Sequence, residues 1–575
     1  MSPTGVRRLR PYLFTNFQRA QYIRTFSAHP RRSALIEVAA KPKAPTTQKE
    51  SSRHVKKDYE KRIAQIEAHN SSLSQCYPRL PPRFAQNTLV SIHTAREASS
   101  HLEPDETLSS GGTITIAGRV HSVRSAGSKL IFMDVKDASH VVQVVVQQSA
   151  LEPAGVSREQ FRHYAKSVRE GDWYTVTGTP HRTARGEQSI AAVELPMLLS
   201  PSLHQIPETL TDAETRARHR HVDMLVNPEP TRTLRIRHQL ERSIDDFLVE
   251  RDFVKVQTPI LTAGAGGAVA RPFETEATEL AGETLNLRIA PELWLKRLVV
   301  GGMDKVYEMG PAFRNEGVDA THNPEFTICE FYHAFATLDD LMTLTETLFA
   351  HMHNRMETVW QSLAPTIPPP FADIKMTSSF NRLEFIPTLE REMGQRLPDL
   401  STPTATSEVL AMFNSNSLHP PSNPTLPRLL DSLAATYLEP LCTSTPTFIT
   451  HHPAALSPLS KHFVCSKTSQ TVAARAELFI HAREYANMYE EENSPFAQRA
   501  KFEQQLTYQV VDGEGDGRAE VDESYLGALE WGLPPTGGWG CGVDRLVMLF
   551  AGRERLGDVL SFGGLRNVVG GTKQV

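Results

Sequence analysis

Cysteine is scarce in this chain. Its 575 residues hold five, Cys76, Cys329, Cys442, Cys465 and Cys541, widely scattered and with no Cys-x-x-Cys among them. That spacing indicates neither a zinc site nor a disulfide framework. Long apolar runs are missing too. None approaches the ~18 residues a membrane helix needs, so no membrane association is expected. There is no large charge of one sign. A formal net charge of -5 argues against a strongly basic nucleic-acid binder, so any such partner has to meet a local basic surface. No internal repeat is visible. A glycine-rich stretch near the C-terminus is not followed by Gly-Lys-Ser/Thr, which excludes a P-loop. The N-terminus, finally, has no Asp or Glu before Glu37.

What that N-terminus does have is Arg7, Arg8, Arg10, Arg19, Arg24, Arg31 and Arg32, with serine, threonine and aromatic residues between them. The composition is that of a mitochondrial transit peptide, residues 1–36, and implies a matrix location. A disordered basic arm that touches RNA is the alternative. The length implies two or more domains, and the 40% hydrophobic and 22% charged content is ordinary for a globular protein. Residues 37–109 read as a linker and a first helix, in which Val55, Tyr59, Ile63 and Ile66 fall near helical spacing among Lys56, Lys57, Lys61 and Arg62. Such a helix either lies on RNA or docks by one stripe.

From 110 to 203 the signal is short strands and turns, at 114–120, 129–135, 141–146, 173–178 and 189–193. A helical stretch, Ser157–Arg169, follows the third strand. Five strands in this order fit an OB-type Greek-key barrel, which either binds single-stranded nucleic acid or serves as a structural barrel. A connector, 204–230, leads to a large domain, 231–575. Leu240, Ile244, Phe247 and Leu248 share a helical face there, and Phe253 to Pro259 reads as a strand ended by proline. Residues 362–370 and 398–427, rich in Pro, Ser and Thr, read as loops within an insertion around 362–440.

Chemistry concentrates in two places. Phe313-Arg314-Asn315-Glu316-Gly317 leads through His322-Asn323-Pro324-Glu325-Phe326-Thr327 to Glu330-Phe331-Tyr332, a hairpin with a long loop. Residues two apart on a strand share a face, so Phe326, Glu330 and Tyr332 share one. Arginine contacts phosphate oxygens bidentately, and a phenylalanine ring takes a stacked base. The second place is Gly537-Gly538-Trp539-Gly540-Cys541-Gly542-Val543-Asp544-Arg545, whose glycines permit close backbone approach and which opens an apolar helix. Two arginines, flanking acids and an aromatic face suit a nucleoside triphosphate.

The proline-ended strand, the Phe-Arg-Asn-Glu hairpin and the Gly-rich Asp-Arg segment resemble motifs 1, 2 and 3 of class II aminoacyl-tRNA synthetases. Within them the chain resembles the lysyl-tRNA synthetases of the fungal mitochondrial type, over about residues 110–350 and 440–562. The resemblance implies an α+β fold, with an OB-type barrel that binds the anticodon and a catalytic domain built on an antiparallel sheet flanked by helices. It implies ATP-dependent ligation of L-lysine to tRNA(Lys) through a lysyl-adenylate, Mg²⁺ as cofactor and a homodimer. The roles it implies are these. Arg314 and Arg545 are catalytic, and with Glu316, His322, Asn323 and Phe326 they bind ATP. Glu292, Glu330, Tyr332, Asn487, Tyr489 and Glu491 line the lysine pocket, and Glu477 and Glu484 hold Mg²⁺. Arg124, Phe132, Gln143 and Glu187 read the anticodon.

Lysine carries two ammonium groups, so its pocket needs acids. Related enzymes for aspartate or asparagine usually have glutamine where Glu292 stands, and an acidic pocket repels aspartate. Glu292 also suits the first turn of a helix through the dipole. Three positions depart from the family pattern: Ala476 replaces an aromatic, Glu492 adds an acid, and Gly563 replaces a proline. The alternatives are a non-catalytic RNA-binding paralogue, a synthetase for aspartate or asparagine, and a transferase that lysylates a protein. The first usually loses a motif arginine or a metal acid, and the last lacks the barrel.

Overall fold

The computed structural model describes residues 48–69, 76–79, 89–108, 112–137, 140–263, 270–280, 282–315, 317, 319, 322–376, 379–512 and 521–564. The arginine-rich N-terminus and Glu316 lie outside the described residues. The chain divides into two compact units between Thr209 and Leu210.

The first unit opens with helices α1 (Gln48–His69) and α2 (Ile92–Ser100). Strands β1 (Ile114–Ser125), β2 (Leu130–Lys136) and β3 (Val141–Gln147) follow as a meander. Helix α3 (Arg158–Ser167) comes next, started by a capping box between Ser157 and Gln160. Strands β4 (Trp173–Arg182) and β5 (Gln188–Ala192) complete the set. The pairing order β1-β2-β3-β5-β4 closes back on β1, giving a five-stranded barrel. A short sixth strand, β6 (Met197–Ser200), pairs with β4 and was not legible in the pattern. Along β2 and β3 every second residue is buried, which puts Ile131, Met133, Val135, Val142, Val144 and Val146 inside. Helix α1 docks by one stripe: Ile66 is buried, and Arg62 Nη2 donates to both carboxylate oxygens of buried Asp172, at 2.8 and 2.7 Å. That arginine is therefore structural, not part of an RNA-facing surface.

In the second unit α4 (Pro228–Val249) buries Leu240, Ile244, Phe247 and Leu248. Only Val254–Lys255 of the expected 253–259 strand pairs, as β7. Then come α5 (Glu292–Val300), the hairpin β8 (Lys305–Phe313) and β9 (Glu325–Ala334), and α6 (Leu338–Leu363). After β10 (Asn381–Glu384), helices α7 (Phe385–Met393), α8 (Ala405–Ser415) and α9 (Leu426–Tyr437) form a separate cluster with their own core. Much of 398–427 is therefore not loop. Val409, Met412 and Phe413 recur at three- and four-residue spacing, and that stripe buries against α9 residues of the same core. The chain returns through β11 (Thr447–Thr450), the hairpin β12 (Arg475–Ile480) and β13 (Arg483–Glu490), α10 (Glu523–Leu529), β14 (Thr536–Gly542) and α11 (Val543–Ala551).

These strands make one eight-stranded sheet, ordered β10-β11-β12-β13-β14-β9-β8-β7. The six central strands are antiparallel, and only the edge pairs β10–β11 and β8–β7 are parallel. The main core, which joins Phe331, Met488, Trp539 and Cys541 to residues of α4, α6 and α11, covers one face. The other face carries Glu330, Tyr332, Glu477, Asn487 and Tyr489.

Candidate active site

Two cross-strand rows define the site. Glu477 of β12 pairs with Asn487 of β13, Asn487 with Gly540 of β14, Gly540 with Glu330 of β9, and Glu330 with Glu308 of β8. The second row runs Arg475, Tyr489, Gly538, Tyr332 and Val306 across the same strands. Directly opposed residues share a face, so these side chains rise from one side of the sheet. The glycines of β14 leave room for them. A Cβ on Gly538 would lie 1.9 Å from Oε1 of Glu491 and 2.7 Å from Cε1 of Tyr332. The glycine-rich stretch is thus a strand whose alternate residues bear no side chain on the site face.

Three carboxylates are buried around that face: Glu292 in the first turn of α5, Glu330 of β9 and Glu491 just past β13. Lys296, one turn along α5, is buried and ion-pairs both Glu292 and Glu491. The Tyr489 hydroxyl donates to Glu292 Oε1 at 3.0 Å, and that of Tyr332 to Glu330 Oε2 at 3.3 Å. Burial pushes the Glu292 carboxyl up to about 7, against the pull of Lys296. Burial, and then the Glu292 charge, hold Glu330 well above the usual carboxylate range. Burial does the same to Glu491, again opposed by Lys296. Burial works against the Lys296 ammonium, but Glu292 and Glu491 outweigh it and keep it protonated. Oε2 of Glu292, Oε1 of Glu330 and Oε1 of Glu491 are buried with no hydrogen-bond partner among the described residues. Buried acceptors of this kind call for donors from a ligand.

Arg314, His322, Asn323, Phe326 and Arg545 line one adjoining cavity, together with Glu484. Arg314 stands just past β8, buried, with its guanidinium 5.0 Å from the Phe326 ring centroid. Its backbone nitrogen donates to Pro324 O at 2.8 Å, closing the hairpin loop. His322 Nδ1 is 2.8 Å from Asp319 Oδ2, and Asn323 Nδ2 donates to Glu325 O at 2.6 Å. Arg545 donates to the backbone oxygen of Glu484 at 3.3 Å. Asp544 braces the wall instead: it accepts from the Thr327 nitrogen at 2.9 Å and from Arg237 Nη1 at 2.6 Å. Two guanidiniums and a ring in one cavity suit a phosphate-bearing base.

Glu477 is paired with Arg475 and lies 3.2 Å from His452 Nε2. Burial alone would raise its carboxyl, but Arg475 and then His452 outweigh that and hold it at about 2. An extra residue in β13 sets Glu484 opposite Phe479, on the Glu477 side of the sheet. Burial, and then the Glu477 charge, push Glu484 up to about 8. Among the described residues no cluster of three or more His, Cys, Asp or Glu is arranged to hold a metal. Two acids fit Mg²⁺ all the same, since that ion takes one or two carboxylates and completes its shell with phosphate oxygens and water. Asn487 accepts from Arg475 Nε at 3.0 Å, between this pair and the acid pocket.

The three departures from the pattern have local accounts. Ala476 belongs to the main core. Glu492 is neutralised by Lys501, which donates to it at 2.6 Å. Gly563 has φ +74°, which proline cannot adopt. Lys296, Tyr525 and His452 escape a reading of the sequence. Only Lys296 carries a signal there, four residues after Glu292 on a helix.

On the barrel, Arg124, Phe132 and Gln143 lie on adjacent strands and point outward. Arg124 pairs with Phe132 across β1–β2, and Asp134, two residues on, pairs with Gln143. Arg124 Nη2 is 3.6 Å from Asp134 Oδ1, and Gln143 accepts from Ser189 Oγ at 3.2 Å. Glu187 is exposed just before β5, the strand beside β3.

Residues 114–198 match the family model for an OB-fold nucleic acid binding domain. Residues 212–566 match that for class II tRNA synthetases of the D, K and N group. The chain belongs to the class II tRNA synthetases. Among relatives of this synthetase, the mitochondrial lysine–tRNA ligase of Schizosaccharomyces pombe is 40% identical, across 79% of this chain and 84% of its own. That of Saccharomyces cerevisiae is 35% identical, across 78% and 81%. A probable cytoplasmic lysine–tRNA ligase of Encephalitozoon cuniculi is 39% identical, across 82% and 91%.

Proposed function

We infer that this chain is a lysine–tRNA ligase of mitochondrial translation, which joins L-lysine to tRNA(Lys) with ATP. The observation that carries this is the buried cluster of three carboxylates on a sheet whose strands β9 and β14 also line a cavity with two arginines and a phenylalanine. The lysine carboxylate attacks the α-phosphorus of ATP, pyrophosphate leaves, and lysyl-adenylate forms. The terminal hydroxyl of the tRNA then takes the lysyl group and AMP departs. No protein nucleophile is required, so catalysis is positioning and charge stabilisation. Arg314 holds the α-phosphate and the substrate carboxylate, while Phe326 and Arg545 hold the adenine. His322, Asn323 and Glu316 serve the nucleotide. The substrate's ammonium groups go to Glu292, Glu330 and Glu491, with Tyr332, Tyr489 and Asn487 around them. Glu477 and Glu484 would hold Mg²⁺, which when bound supplies positive charge to the phosphate oxygens.

On the barrel, Phe132 stacks on an anticodon base, and Arg124, Gln143 and Glu187 contact others. Residues 1–36 direct the chain to the matrix. The subunits pair through the end of α4 and β7, a reading supported by the exposed Val249, Val254, Ile260 and Leu261. ATP–pyrophosphate exchange against all twenty amino acids tests the central reading. Lysine should support exchange. Exchange with aspartate or asparagine and none with lysine would overturn it.

A further inference from the structure

The acid pocket contains a cation of its own. Lys296 is buried, paired to both Glu292 and Glu491, with its nitrogen 5.8 Å from the ring centroids of Tyr332 and Tyr489 and 5.7 Å from that of Tyr525. Filling space does not explain it. A methionine would occupy the volume without the desolvation cost of a charge. The charge count does explain it. With Glu292, Glu330 and Glu491 ionised, one ammonium leaves two negative charges unmatched, and each of the three carboxylates keeps at least one oxygen without a hydrogen-bond partner among the described residues. If lysine is the substrate, its two ammonium groups supply the two missing charges, and its carboxylate goes to Arg314.

We propose that Lys296 is a specificity-determining positioning residue, a fixed third cation that favours the ionised forms of Glu292 and Glu491, so that the pocket with all three acids ionised reaches neutrality only on an amino acid with two ammonium groups. The groups that face it are Glu292 on its own helix, Tyr332 of β9, Tyr489 of β13, Glu491 beyond β13 and Tyr525 of α10, with Glu330 behind Tyr332. All three phenols are raised, first by burial, and stay neutral, so they leave the count unchanged. An amino acid with one ammonium leaves a buried carboxylate unmatched and must bring a proton with it. Without Lys296 the acids hold protons more tightly, and lysine has to displace them.

This rests on the lysine reading, and the test separates the two. In the full chain, Lys296→Met is compared with wild type by pyrophosphate exchange from about pH 6 to 9, with lysine varied at saturating ATP. The KM for lysine should rise at least ~10-fold near pH 7, and the acid limb of kcat/KM for lysine should move up by about one pH unit or more, while the KM for ATP stays put. A loss of equal size at every pH, with the limb unmoved, would reduce Lys296 to packing and overturn the proposal, as would no change at all. Lys296→Arg keeps the charge and keeps the test decisive if Lys296→Met does not fold. Its acid limb should stay at the wild-type position even where its KM for lysine rises. A limb that moves up in the arginine variant overturns the proposal. Wild-type protein that fails to exchange with lysine would instead sink the underlying reading.

Discussion

Glu330 is fully buried, and one oxygen meets only the Tyr332 hydroxyl. Glu330→Gln keeps the shape and removes the charge. Loss of a charge-assisted contact in a desolvated pocket costs about 1.5–3 kcal/mol, so kcat/KM for lysine should fall at least ~10-fold. The KM for ATP should hold, because Arg314, Phe326 and Arg545 line a cavity that Glu330 does not. Titration of both substrates in pyrophosphate exchange checks it, and unchanged lysine dependence removes Glu330 from the pocket. The raised acids also set a pH dependence. Glu292 stands at about 7 and Glu484 at about 8. Their unfolded values lie near ~4.3, so between those limits the folded chain holds protons that the unfolded chain has released. Their effect on the unliganded fold is therefore unfavourable, and grows as pH rises through that window. Bound cations favour the ionised forms and reverse it. The rise in Tm on adding lysine and Mg-ATP should be larger at about pH 8.5 than at about pH 6. An equal rise at both would show that these acids do not meet the ligands.

At the scale of elements, β14 is the most constrained. Its even-numbered glycines clear the floor while Trp539 and Cys541 anchor the core. Gly538→Ala drives a Cβ against Glu491 and Tyr332. The strand cannot move without losing its pairing to β9 and β13, so the acids must. Lysine activation should drop at least ~10-fold with ATP binding retained, on the scale of one displaced charge contact. Wild-type kinetics for lysine would mean that Glu491 lies elsewhere when substrate is bound. The barrel should separate from the catalytic domain by mutation. Phe132→Ala should weaken tRNA charging by roughly 1–3 kcal/mol, the usual worth of a stacked base, and spare pyrophosphate exchange. Equal losses in both assays would show that Phe132 acts through the fold.

At the scale of the whole molecule, the exposed Val249, Val254, Ile260 and Leu261 predict a homodimer. Light scattering at micromolar concentration should give twice the mass of one chain, and a single-chain mass there contradicts the pairing. A reporter fused after residue 50 should enter mitochondria. A cytosolic reporter would exclude the import role of the arginine-rich segment.

The catalytic elements were legible because their signals are local. The Arg314 hairpin and the glycine-Asp544-Arg545 strand and helix each lie within one short stretch of chain, and alternation alone places Phe326, Glu330 and Tyr332 on one face. The barrel strands were legible for the same reason, since period-two burial is written residue by residue. The helices within 398–427 were obscured by proline and serine, although Val409, Met412 and Phe413 carried the stripe. The sequence alone thus determined the barrel, the central hairpin and the family. Tertiary structure decided the charge arrangement. Glu292, Lys296 and Glu491 meet because α5 and the end of β13 pack over one sheet face, nearly two hundred residues apart in the chain. No local pattern encodes such a meeting, since burial and Coulomb interaction depend on distance in space and not on separation along the chain.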